Sequence, residues 1–254
     1  MGSTPHNITE TRMVDTLGHR RLSMLKLLTR KLLTFCNSPT GSVKEKITDG
    51  IPAAIRNHGR KKLGETSVIE SIAEFHAKRE SSAFGPDYGD LWFLYHNVRK
   101  RRPRTILEFG SGISTVCLAQ ALFDNGFGTL YSVDGNKNWA ASTARCLPGH
   151  LKPFCEVRHS EILETNYAGT PVLKHANVPE VIPNFAYLDG PEGVWAERPA
   201  AIDLLEMEPD FPTAFFLVVD ERESNTQFLR KHFKRQYRFR HRKIARQPTF
   251  ELLA

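Results

Sequence analysis

Arg104-Thr-Ile-Leu-Glu-Phe-Gly-Ser-Gly-Ile-Ser-Thr115 decides the fold of this chain. Thr105, Ile106, Leu107 and Phe109 have the β-branched and apolar make-up of a short strand covered on both faces. Gly110 and Gly112 remove side chains where the backbone must turn sharply and where a ligand can come close. Ser114 and Thr115 open an apolar run, Val116 to Phe123, of helical length. A strand, a Gly-x-Gly turn and a helix present unpaired N–H groups and a positive helix end to a ligand.

Downstream, strands and helices alternate, which predicts a parallel sheet with helices on both faces. The second strand is read at Gly128 to Val133, ending in Asp134, with a helix from about Asn136 to Cys146. The third runs from Phe154 to Arg158 and is followed by His159 and Ser160. Residues 164 to 182 carry turn residues and prolines and read as an insertion, in the form of a hairpin. The fourth strand, Phe185 to Leu188, ends in Asp189. A helix over residues 197–207 follows. The fifth strand, Ala214 to Val219, is the most hydrophobic and belongs in the interior of the sheet; it ends in Asp220 and Glu221. A helix from Asn225 to Phe233 and two last strands, Tyr237 to His241 and Thr249 to Leu253, close the chain.

Upstream, residues 1 to about 10 read as polar and disordered. Arg12 to Phe35 reads as a basic helix whose Leu17, Leu25, Leu28 and Leu32 share a stripe. It packs on the domain or a second subunit, or it lies on a membrane surface. Residues 43 to 64 fit no element clearly. Thr66 to Glu80 reads as a helix, with Ser67 and Glu70 at capping-box spacing. Asp90 to Arg102 reads as another, with Leu91, Leu94, Tyr95 and Val98 inward and Pro103 stopping it. The expected division is an N-terminal helical extension over residues 1–85 and an α/β domain over 86–254.

Composition bounds the reading. The chain has 254 residues, a hydrophobic fraction of 40% and a charged fraction of 25%, ordinary for a soluble globular protein with one sizeable core. Net charge is +7, which permits attraction to phosphates or anionic membranes without requiring either. Cys36, Cys117, Cys146 and Cys155 show neither Cys-x-x-Cys nor zinc spacing, and Cys117 reads as a buried small hydrophobe. A reducing cytoplasm is the expected compartment. No apolar run has the length of a membrane span, and charges interrupt any signal-peptide core.

The strand ends carry the polar residues. In an open parallel sheet a ligand lies outside the carboxyl ends of the strands. Glu108, Asp134, Ser160, Asp189 and Asp220 gather on that rim. Asp134 follows Gly110 at roughly the twenty-residue interval at which an acidic group reaches a ribose. Glu108 either holds a ligand's ammonium, orients the glycine turn, or forms a buried ion pair. A phosphate loop would need Gly-Lys-Ser/Thr, a dinucleotide fingerprint would need a third glycine where Thr115 stands, and no Gly-x-Ser-x-Gly elbow is present.

The ordered set Glu108-Phe-Gly-Ser-Gly, Ser-Val-Asp134, Tyr-Leu-Asp189-Gly and Val-Val-Asp220, with its final strand pair, resembles the class I S-adenosylmethionine-dependent methyltransferases over about residues 86 to 254. The resemblance implies a Rossmann-like doubly wound sheet of seven strands, the last antiparallel. It implies that Gly110, Ser111 and Gly112 approach the methionine portion of S-adenosylmethionine, with Glu108 beneath and Ser114 at the amino-acid end. Asp134 would hold the ribose, His159 and Ser160 would border the adenine, and Asp189 would close the strand where cofactor amino group and substrate meet. A narrower resemblance, to the catechol O-methyltransferase-like branch, would make Asp189 and Asp220 ligands of a divalent metal such as magnesium, although Glu221 replaces that branch's Asn.

On this reading Asp189 and Asp220 are the catalytic candidates, with His159 and His175 as further helpers for proton removal. His175, a lone histidine in an insertion, is expected to be solvated. Trp195 and Tyr187 are candidate walls of an acceptor pocket. In Tyr237-Arg-Phe-Arg-His-Arg, aromatic and basic residues alternate, as in an edge strand with one charged face or a strip for RNA or phosphate-bearing substrates. Three functions follow: methyl transfer to an oxygen or nitrogen of a small molecule, methyl transfer to RNA or protein, and a non-catalytic membrane-associated or assembly role, with an oligomer compatible with each.

Overall fold

A computed structural model describes residues 43–79, 87–190, 199, 201–220, 222–241 and 247–253. The expected basic helix at 12–35, and Trp195 and Glu221, lie outside the described residues. Contacts divide the chain into Met1–Ile51 and Pro52–Ala254. The second unit includes helices that sequence reading assigns to the N-terminal extension.

The elements are α1 (Val43–Leu63), α2 (Val68–Ala77), α3 (Tyr88–Arg101), β1 (Thr105–Phe109), α4 (Ile113–Asn125), β2 (Thr129–Asp134), α5 (Lys137–Cys146), β3 (Cys155–His159), β4 (Ile162–Tyr167), β5 (Thr170–His175), β6 (Phe185–Leu188), α6 (Ile202–Met207), β7 (Phe216–Val219), α7 (Glu223–His232), β8 (Tyr237–Arg240) and β9 (Thr249–Leu252). Seven strands form a Rossmann-like sheet in the order β3-β2-β1-β6-β7-β9-β8. The β3, β2, β1, β6 and β7 pairings are parallel, whereas β9 runs antiparallel between β7 and β8. The order turns back between β1 and β6, the place where an open sheet leaves a crevice at its carboxyl ends.

The side-chain period of two splits the sheet into two cores. Ile106, Leu130, Phe185, Phe216 and Val218 face α2, α3 and α4, where Val68, Phe75, Leu94, Val98 and Leu118 are buried. Leu107, Phe109, Val133, Leu188, Leu217 and Val219 face α6 and α7 through Ile202, Leu204, Phe228 and Leu229. Coverage on both faces explains why β6 and β7 are buried at every position. It also explains Cys117, fully buried in α4.

Residues 43 to 64 fit no element on sequence, and they form α1 almost to their end. The capping box expected at Ser67 and Glu70 does not form. Ser67 starts α2 but makes no side-chain cap. The hydroxyl of Thr66 accepts from Val68 N at 3.3 Å instead, and Ser67 Oγ accepts from Gln120 Nε2 at 3.4 Å. A tertiary partner has taken the hydroxyl that local spacing assigned to the cap. The insertion between β3 and β6 is a hairpin, β4 and β5, forming its own two-stranded sheet where a crossover helix would otherwise cover the main one.

Candidate active site

The glycine turn is held from both sides. Gly110 N donates to Val133 O at 2.8 Å, and Asp189 N donates to Phe109 O at 2.8 Å. Gly110 has φ 95°, and a Cβ there would lie 1.6 Å from the carbonyl oxygen of Asp189. Only glycine fits, because the ends of β1 and β6 meet at this point.

Asp134 clamps the turn. Its Oδ2 accepts from Ser111 N at 2.8 Å and from Ser111 Oγ at 2.7 Å, and its Oδ1 accepts from Asn136 N at 2.8 Å. A carboxylate offers about four acceptor positions, so about one remains for a ligand hydroxyl. Asn136 caps α5, accepting from Asn138 N and Trp139 N. That cap places Trp139 where its indole N–H donates to Ser111 O. The guanidinium of Arg79 stacks 3.6 Å over the Trp139 ring.

Thr115 and Glu108 support the turn from below. Gly112 N donates to Thr115 Oγ1 at 2.8 Å, and that hydroxyl donates to Glu108 Oε2 at 2.6 Å. Ser132 Oγ donates to the same oxygen at 2.6 Å. Thr115, which replaces a dinucleotide fingerprint's third glycine, thus couples the turn to a fully buried carboxyl. Burial pushes the Glu108 carboxyl up to about 7, against the opposing pull of the Ser132, Thr115 and Ser114 hydroxyls. No described cation pairs with it, so the buried ion pair is replaced by hydroxyl donors.

Asp189 and Asp220 end adjacent strands, the latter fixed by its N–H donating to Leu188 O at 2.8 Å. Burial, then the nearby charges of Asp220 and Glu108, hold the Asp189 carboxyl well above the usual carboxylate range, and the two aspartates hydrogen-bond. Tyr187, which sequence reading made a pocket wall, is instead buried in the core, with its hydroxyl 3.4 Å from Asp189 Oδ2. Two facing carboxylates are part of a ligand set for a hard cation. Among the described residues no cluster of three His, Cys, Asp or Glu completes it.

His175 departs most from expectation. It is buried, at 3% exposure, rather than solvated. Its Nδ1 lies 2.9 Å from Asp203 Oδ2, and its backbone N donates to the same carboxylate at 3.2 Å. Its ring packs 5.0 Å from that of Phe109. The hairpin tucks the end of β5 under the rim of β1, and α6 supplies the buried aspartate, so both polar groups are paired where water is excluded.

These elements enclose a cavity of about 590 Å³, lined by Gly110, Ser111, Asp134 and Asp189 and, beyond them, by Trp139, His159, Ile162 and His175. Of the expected site residues, Gly110, Ser111, Asp134, His159, His175 and Asp189 line it, and Asp220 is not among the lining residues. Glu108, Gly112 and Ser114 are not among the lining residues; Glu108 is buried beneath the turn. Ser160 is buried, its hydroxyl accepting from Asn177 N at 2.8 Å, and so holds the hairpin's exit. Trp139 and Asp203 were not singled out in the sequence. The readable signals were an N-cap three residues before the tryptophan and one acid inside the apolar run Ala201 to Leu205.

The fold is a Rossmann-like α/β sheet with a cavity of about 590 Å³ at its glycine turn. No protein-family model matches the chain, and no curated protein does. Among solved structures, the chain is similar to cofactor-bound Rv0187 from MTB, with a TM-score of 0.53, 13% identity, and coverage of 85% of this chain and 99% of that one. It is also similar to a Staphylococcus aureus protein provisionally designated a caffeoyl-CoA O-methyltransferase, with a TM-score of 0.53, 12% identity, and coverage of 80% and 100%. At these identities the likeness is one of fold.

Proposed function

We propose that this protein transfers the methyl group of S-adenosylmethionine to an oxygen or nitrogen of a small molecule. The observation that carries the reading is the glycine turn clamped by Asp134 at the mouth of the cavity. The start of α4 offers N–H groups and a positive helix end to an amino acid's carboxylate. The remaining acceptor position of Asp134 suits a ribose hydroxyl. The fold likeness to a cofactor-bound protein supports the same reading.

Methyl transfer to a nucleophile requires alignment and removal of a proton. Asp189 and Asp220 are the groups beside the turn suited to the second task. The Asp189 carboxyl, held above the usual carboxylate range by burial and by the charge of Asp220 beside it, is suited to accept a proton from the incoming hydroxyl or amine. A magnesium ion, where one binds, would be held by these two carboxylates and would lower the pKa of an acceptor hydroxyl. The free, buried Cys117 and Cys146 suit a reducing cytoplasm. No helix among the described residues is long and apolar enough to cross a membrane.

Calorimetry tests the reading directly. S-adenosylmethionine and S-adenosylhomocysteine should both bind, and Asp134→Ala should weaken each by about ten-fold or more, the cost of a lost charged hydrogen bond together with a released turn. Absence of binding by the wild type at millimolar concentration would remove the enzyme reading. Repeating the titration with magnesium and with EDTA decides whether Asp189 and Asp220 hold a cation.

A further inference from the structure

The sheet ends on a strand with cations on both of its faces. β8 is last in the strand order, paired on one side with β9, and among the described residues no strand pairs with its other side. Leu253 N donates to Gln236 O at 2.9 Å, so the backbone of Gln236 faces β9. Alternation then turns the N–H and C=O groups of Arg238 and Arg240 toward β9 and those of Tyr237 and Phe239 outward. The side chains alternate as well. Tyr237 and Phe239 pack on the α7 side, against Phe233 and Phe250. Arg238 and Arg240 stand exposed on the opposite face.

Charge on this edge is unbalanced. From Arg230 to Arg240 there are six Lys or Arg residues and no Asp or Glu. Glu251 of β9 answers part of it, and is already shared by Arg101 at 3.0 Å and Arg238 at 3.3 Å. Glu208 is spent on the backbone N–H groups of Lys234 and Arg235. Arg240 adds its charge near Glu251 without a salt bridge among the described residues. On the α7 face the Arg230 guanidinium lies 4.6 Å over the Phe239 ring. The open edge is therefore straddled, with Arg238 and Arg240 on one face and Arg230 on the other.

This arrangement fits an extended chain. A strand added to β8 puts successive side chains on alternate faces, so its carboxylates meet both sets of cations. Arg238 and Arg240 stand about 6.8 Å apart, the interval of every second residue in such a strand. A single-stranded nucleic acid gains from rings that stack its bases, and both rings of β8 are packed inward. A membrane surface calls for exposed apolar groups, and no large hydrophobic side chain is exposed between Arg230 and Arg240. A second copy of the same edge is rejected by like charges placed opposite one another.

We propose that β8 is a docking edge for an acidic, extended segment of a partner protein, which joins the sheet as its next strand. The inference does not depend on the methyl-transfer reading. β8 runs in the same direction as β7, since both are antiparallel to β9, so its Arg240 end points to the rim and the docked segment reaches that end of the sheet.

The test measures binding of this chain to a short fluorescent peptide in which glutamate alternates with threonine. Anisotropy should show binding that weakens as salt is added. Arg238→Glu combined with Arg240→Glu should weaken it about ten-fold or more, with thermal denaturation showing that the variant is folded. Two N-methylated peptides, one modified at the glutamates and one at the threonines, decide the geometry on the wild type alone. Only alternate N–H groups of a strand face its neighbour, so one of them should bind like the parent and the other about ten-fold or more weakly. Equal affinity of the two would overturn strand addition. Tighter binding of a DNA duplex or of phosphatidylserine vesicles than of the parent peptide would also overturn it, as would no binding of that peptide at low salt.

Discussion

Glu108 shows how a single residue can be set by its surroundings. Its position before the glycines is plain in the sequence, and its protonation is not. The folded protein binds its proton up to about pH 7, against an ordinary value of 4.5, because burial penalises the charge. In that window the folded state holds more proton than the unfolded state, so this group lowers stability as pH rises from about 4.5 to about 7. Glu108→Gln should remove that slope. Urea denaturation across this range should show the variant gaining on the wild type towards neutral pH, by on the order of a few kcal/mol. Equal slopes in the two proteins would mean that Glu108 is ionised when folded. His175 makes the same point from the other side: a histidine in an insertion carries no local mark of burial, and its aspartate comes from another element.

At the scale of elements, the strand, turn and helix act as one unit because backbone and side chains share the same bonds. Gly110 meets the carbonyl of Asp189, Gly112 meets Thr115, and Ser111 meets Asp134. Gly110→Ala places a methyl group where that carbonyl stands and imposes a strained φ of 95°. It should cost on the order of several kcal/mol and lower the melting temperature correspondingly. A melting temperature within a degree or two of wild type would show that β1 and β6 do not meet here. Most element positions were legible because periodicity changes at clear breaks: β6 falls where the sequence places it, and β7 and β9 fall inside their expected spans. The cap of α2 was not legible, since Ser67 is drawn to Gln120 by packing rather than by local spacing.

At the scale of the molecule, the sheet separates two cores. Leu118 is fully buried on the α4 side and Leu217 on the α6 and α7 side. Each Leu→Ala change should cost about 2–5 kcal/mol. The two should add to within about 0.5 kcal/mol in urea denaturation, since a sheet stands between them and they share no partner. A large coupling would mean that the cores communicate through the strands.

The sequence alone determined the strand–glycine turn–helix unit, the alternation that makes a parallel sheet, and the acids at four strand ends. Those features are local: period, turn chemistry and spacing act within a few residues. The tertiary structure decided what the acids do. It spent most of Asp134 on the turn, raised the Glu108 carboxyl by burial, paired Asp189 with Asp220, and drew His175 onto Asp203. Burial and pairing depend on which distant segments share a surface, and no local pattern in the chain encodes that.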